Sequence, residues 1–169
     1  MFKTKRLIAS ALSAALCCVA SLLQISSPAG GYFNAGDAVV LLSAFLMGPV
    51  SGAAAAGIGS AAADVLSGFV IYAPATLIIK ALMALVSGAV LRRLKSPKRV
   101  APAVLAGIAA EAVMISGYFA FASVILGLGA GALADVPGNL IQGFFGVAAG
   151  TYLYLALSKI PGIRDFADL

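Results

Sequence analysis

Histidine and tryptophan are absent from this 169-residue chain, cysteine occurs twice, and only 10% of the residues are charged. Without histidine there is no His-dependent dyad or triad, and the commonest metal ligand is missing. Cys17 and Cys18 are adjacent within an apolar run and read as small hydrophobes. A bridge between helices would need cysteines far apart in sequence. No Gly-x-x-x-x-Gly-Lys phosphate loop occurs, which excludes ATP hydrolysis in that manner. Gly57-Ile58-Gly59-Ser60 could suggest a serine nucleophile, but no histidine exists to activate it. The chain is therefore expected to have no catalytic residue, metal or cofactor.

What is abundant is apolar: 62% of residues are hydrophobic, with 19 glycines and a mean hydropathy of +1.08. A soluble domain averages about 45–50% apolar and about 25% charged residues. So small a body has too much surface to hide that excess, so lipid must solvate most of it. Water-soluble folds, secreted disulfide scaffolds and disordered tails are excluded together. The single domain 1–169 is expected to be an all-α integral membrane protein.

A spanning helix needs roughly 20 mostly apolar residues. Six stretches qualify, some with help from their neighbours: 7–24, 37–47, 52–69, 75–94, 103–126 and 135–159. The apolar runs lack alternation and are too long for membrane strands. The second is short and stops at Gly48-Pro49, which suggests a tilted or broken helix. With six transmembrane helices, ten of the eleven basic residues fall on one side. They are Lys3, Lys5 and Arg6, then Arg92, Arg93, Lys95, Lys98 and Arg99, then Lys159 and Arg164. The positive-inside rule makes that side, with both termini, cytoplasmic. The net charge of +5 thus reports topology, and no nucleic-acid partner is expected. A cleavable signal peptide ending near Ser26 to Gly30 is the rival reading of the N-terminus; it would leave five spans and an outward N-terminus.

Polar groups in lipid need partners: a central Lys or Asp costs about 2.5–3.5 kcal/mol on insertion scales. Lys80 lies five residues into helix 4, and Glu111 near the middle of helix 5. They could pair with each other across the bundle, or face a polar ligand, or both. Tyr118 shares the face of Glu111, and Asn139 and Gln142 share a face near the outer end of helix 6. Asp37 and Asp135 read as helix N-caps, and Asp64 as a carboxylate that could bond a neighbouring helix. The loop from Ser26 to Gly36 combines turn-forming Gly and Pro with Tyr32, Phe33 and Asn34. It reads as an interfacial aromatic anchor or as a lid over a pocket between the outer halves of helices 4, 5 and 6. Aromatic faces, amides, one amine and one carboxylate suit a small, polar, ring-shaped ligand better than an ion path.

Several motifs, in order along the chain, resemble those of the substrate-binding S components of energy-coupling factor (ECF) transporters. They are Gly31-Tyr32-Phe33-Asn34-Ala35-Gly36-Asp37-Ala38-Val39-Val40, Gly48-Pro49, and Gly57-Ile58-Gly59-Ser60-Ala61-Ala62-Ala63-Asp64. Tyr72-Ala73-Pro74-Ala75-Thr76-Leu77-Ile78-Ile79-Lys80, Glu111 with Gly117-Tyr118-Phe119, and Pro137-Gly138-Asn139-Leu140-Ile141-Gln142 complete the set. The resemblance implies a multi-pass protein of the bacterial plasma membrane that captures a vitamin or vitamin precursor on its outer side. Its implied partners are a transmembrane coupling subunit and two cytoplasmic ATPases. Ala11 and Ala15 match the small-xxx-small patch that meets the coupling subunit, and the loop after helix 1 matches the substrate lid. The candidate substrate-binding residues are then Tyr32, Asn34, Lys80, Glu111, Tyr118, Asn139 and Gln142. With no tryptophan to stack a tricyclic ring, the substrate reading is a pyrimidine or pyridine compound such as hydroxymethylpyrimidine or pyridoxine, with riboflavin or another vitamin as the alternative. A self-sufficient carrier using Glu111 or Asp64 as a proton site, or a non-transport scaffold, are the rival function classes.

Overall fold

The computed structural model describes residues 2–29, 31–94, 100–160 and 163. Six α-helices are present among them: α1 (Phe2–Ser21), α2 (Gly36–Met47), α3 (Pro49–Leu66), α4 (Ala73–Arg93), α5 (Val100–Ala120) and α6 (Val136–Leu157). Four helical segments are long and apolar enough to cross a membrane: Thr4–Ser21, Ala73–Arg93, Val100–Ile125 and Gly129–Leu157. Large apolar side chains cover the outside, among them Phe144, Val124 and Ile141, each more than 70% exposed. That is an outer surface suited to lipid rather than water. Of the ten basic residues assigned to one side, Lys95, Lys98, Arg99 and Arg164 lie outside the described residues, as does the side chain of Lys3.

α2 is short, as expected, but it is not broken. Its twelve residues span only about 18 Å at 1.5 Å per residue. It can be short because it is enclosed: Val40, Leu41, Ala44 and Phe45 are buried, and α2 packs on α1, α3, α4 and α6. Gly48, at φ 80°, reverses the chain in one residue, and Pro49 opens α3, where a missing N–H costs nothing.

α3 starts and ends three residues earlier than expected and is the close-packing helix. Its glycines face three neighbours. A Cβ on Gly52 would sit 2.6 Å from the Ala44 Cα, one on Gly57 2.8 Å from the Leu77 carbonyl oxygen, and one on Gly59 against the Ala14 carbonyl. Backbones approach this closely in lipid because dispersion replaces the missing hydrophobic drive. The small residues of α1 therefore divide between two faces. Ala14 and Cys17 turn toward α3, whereas Ala11 and Ala15 are exposed.

Two further departures shape the end of the bundle opposite Arg6 and Arg92. The loop after α1 contains an antiparallel hairpin, β1 (Gln24–Ser26) and β2 (Tyr32–Asn34), in the register Gln24↔Asn34, Ile25↔Phe33 and Ser26↔Tyr32. α5 runs on through a π-helical turn, Phe121–Ile125, before a 3-10 segment, Gly129–Asp135, leads into α6. The π turn changes the register of the α5 end, a device frequent beside functional sites.

Candidate functional site

The hairpin lies over the ends of α3, α4 and α6, and beneath it is a cavity with about 630 Å³ of atom-free space, part of it continuous with solvent. Four hydrogen bonds to three side chains hold the hairpin down. The Tyr32 hydroxyl donates to the Asp64 carboxylate on α3. The Asn34 N–H donates to Gln142 Oε1 on α6 at 2.7 Å. At the hairpin tip, the Ser27 hydroxyl donates to Asp135, and the Ala29 N–H donates to the same carboxylate at 3.0 Å. The Phe33 ring also covers Gly138 so closely that a Cβ there would collide with it. Burial, followed by the Asp64 carboxylate, pushes the Tyr32 phenol well above the usual tyrosine range. Burial also raises the Tyr72 phenol, with Asp135 adding to it.

Deeper in, the cavity floor is ionic. Lys80 forms a salt bridge with Asp37, and each is 1% exposed. Gln142 donates from Nε2 to the other Asp37 oxygen at 2.5 Å. A continuous chain of contacts therefore runs from the buried lysine through Asp37 and Gln142 to the hairpin backbone at Asn34. Tyr118 closes one side, its ring centroid 5.5 Å from Lys80 Nζ and its hydroxyl donating to Thr76 Oγ1 at 3.0 Å. Tyr32 and Tyr72 line the cavity and are backed by other rings, with Tyr32 to Phe69 at 4.7 Å, Phe69 to Tyr72 at 6.2 Å and Tyr72 to Phe121 at 5.4 Å.

Six of the seven candidate substrate-binding residues, Tyr32, Asn34, Lys80, Tyr118, Asn139 and Gln142, line this one cavity. Glu111 does not. It sits behind the ion pair, 4% exposed, against Gly143 and Gly146 of α6, and neither carboxylate oxygen has a hydrogen-bond partner among the described residues. The possible Lys80–Glu111 pair is replaced by Lys80–Asp37. Asp37 is correspondingly no cap: α2 has no side-chain cap bond, and its carboxylate turns into the bundle. Asp135 also makes no cap bond and instead holds the hairpin. Asp64, Thr76, Tyr72, Ser21 and Ser60 join the lining without having been singled out for the site. The four-residue spacing of Ser60 and Asp64 on one helix face was the available signal. Among the described residues no three His, Cys, Asp or Glu side chains gather as a metal site.

A protein of Pyrococcus woesei described as "Uncharacterized protein in gap 3'region" is 37% identical to this chain over 143 residues, covering 83% of this chain and 93% of that protein. Residues 1–159 match the family model of the ECF-type riboflavin transporter, S component. With nearly the whole length matched, the chain belongs to the ECF-type riboflavin transporter S component family, the substrate-binding subunits of vitamin transporters.

Proposed function

We propose that this chain captures a single-ring vitamin or vitamin precursor, of the pyrimidine or pyridine class, in the cavity under the hairpin and delivers it inward with ECF partners. The cavity carries the reading: it joins flat aromatic faces to a buried amine, amides and a carboxylate, the mixture that orients a small polar ring. Tyr32, Asn34, Lys80, Tyr118, Asn139 and Gln142 contact the ligand, while Glu111 supports the floor. Riboflavin is the second reading, favoured by the family's description. The chain supplies no ATPase of its own, so uptake draws on a transmembrane coupling subunit and two ATPases. The exposed Ala11 and Ala15 give α1 a flat strip for the coupling subunit.

All six helices span in this reading, with both termini cytoplasmic and the hairpin outside. Its support is the separation of the two ends: Arg6 lies with Met47 and Ser51, and the Arg92 guanidinium lies at Gly48, both far from the cavity end of their helices. Calorimetric titration of the detergent-purified chain with hydroxymethylpyrimidine, pyridoxine and riboflavin tests the substrate. Saturable one-to-one binding of either single-ring compound, tighter than that of riboflavin, is expected. Preference for riboflavin selects the second reading, and binding of none refutes both. Uptake by the chain alone in liposomes under a pH gradient would instead establish a self-sufficient carrier.

A further inference from the structure

One corner of the cavity has unfilled hydrogen-bonding capacity. Ser21 at the end of α1 and Ser60 on α3 are each 1% exposed, and Asp64, one turn beyond Ser60, is 3% exposed. All three line the cavity. Ser21 Oγ, Ser60 Oγ and Asp64 Oδ2 have no partner at hydrogen-bonding geometry among the described residues, although the other Asp64 oxygen accepts from Tyr32 and the Thr76 hydroxyl lies beside the carboxylate. The Lys80 side of the same cavity is satisfied, through Asp37 and Gln142. Leaving three buried polar atoms unmet costs free energy, and the carboxylate oxygen, which can only accept, calls for a donor.

We infer that Asp64, Ser60 and Ser21 form a donor-reading subsite, which takes the hydrogen-bond-donating edge of the bound ring. That edge is an amino group, a ring N–H or a ring hydroxyl. The inference rests on the proposed function and narrows it to a class of ligand. Asp64 Oδ2 accepts from the ligand, and the two hydroxyls adapt as donors or acceptors. Asp64 then has two duties: one oxygen holds the closed hairpin, and the other reads the ligand beneath it. A ligand filling the corner also keeps Asp64 oriented toward Tyr32, so recognition and closure reinforce each other. Hydrophobic rings of the same size are rejected here, because they would leave the carboxylate oxygen buried and unpaired.

The test compares three ligand pairs on the purified full chain by calorimetry. They are hydroxymethylpyrimidine and its des-amino analogue, pyridoxine and its 3-deoxy analogue, and riboflavin and its 3-methyl analogue. The parent compound of the bound pair is expected to win by roughly tenfold to a hundredfold in the wild type, the range for a hydrogen bond to a charged acceptor. Asp64→Asn, which keeps the shape, is expected to reduce that preference to a few-fold. Ser60→Ala, which leaves the Tyr32 contact intact, is expected to reduce it by a smaller factor. Equal weakening of parent and analogue by Asp64→Asn, with an unchanged preference in Ser60→Ala, would assign Asp64 to the hairpin contact alone and overturn the inference. No preference in the wild type overturns it directly. Binding of no pair by the wild type refutes the proposed function itself, a result distinct from either.

Discussion

Replacing Lys80 by methionine removes the positive member of a buried pair whose two side chains are each 1% exposed. Methionine fills similar volume, so the loss is dominated by charge. Asp37 is left without its cation, beside a Glu111 carboxylate that already has no hydrogen-bond partner. Breaking a buried pair from one side costs about 3–5 kcal/mol. At about 2–4 °C per kcal/mol for a chain of this size, the expected fall in Tm is roughly 6–20 °C. Asp37→Asn should be milder, about 1–3 kcal/mol. The introduced amide oxygen can still accept from Gln142, and Lys80 keeps the Glu111 carboxyl nearby, whose oxygens have no other partner among the described residues. Lys80→Met combined with Asp37→Asn should recover much of the single Lys80 loss, because no unpaired charge is created at position 37. A thiol-reactive dye reports unfolding directly in a Cys18→Ala background, since Cys17 is completely buried. Equal Tm losses for Lys80→Met and Asp37→Asn would refute the compensating role of Glu111. A double variant no more stable than Lys80→Met would refute the charge argument altogether.

Leucine at both Ala11 and Ala15, which face outward, should shift stability by less than about 0.5 kcal/mol and spare ligand binding, while abolishing ATP-driven uptake by the assembled transporter. Surviving uptake would exclude that face as the docking strip. Gly138→Ala should displace the Phe33 ring and accelerate ligand release, as read by stopped-flow fluorescence, with little effect on Tm. Gly59→Ala forces a methyl against the Ala14 carbonyl and should cost about 1–3 kcal/mol by separating α1 from α3, seen as a lowered Tm. Tyr32 keeps its proton above the ordinary tyrosine pKa in the folded state, so above about pH 10 the folded chain binds more protons than the unfolded one. Its contribution is present below that pH and falls as pH rises through the Tyr32 pKa. Tyr32→Phe should remove that alkaline slope in a pH series of Tm.

Each of the six helices among the described residues is visible in the sequence as an apolar run, and four helical segments are long and apolar enough to cross a membrane. The residues of the cavity are also largely legible, since a polar side chain in lipid announces itself. Lys80, Tyr118, Asn139 and Gln142 stand out on that ground, Tyr32 and Asn34 as parts of the turn-rich aromatic loop, and all six line one cavity. Their partners are not legible. A helix fixes neighbours three and four residues apart, whereas Lys80 meets Asp37 across 43 positions and Asn34 meets Gln142 across 108. Local rules therefore assign Asp37 and Asp135 to the nearest helix start, and both carboxylates serve distant elements instead.

The same division holds for packing. Composition and run length are properties of residues one at a time, and they suffice to establish a lipid-solvated helical chain without histidine chemistry or a phosphate loop. They do not reveal that a helix of twelve residues can be enclosed by its neighbours, or that Ala14 faces inward while Ala11 faces out. Nor do they reveal that Lys80 chooses Asp37 over Glu111. Those choices depend on which backbones come within a few ångströms of each other. Glycines at 52, 57 and 59 permit such contacts in several directions, and only the assembled bundle selects among them.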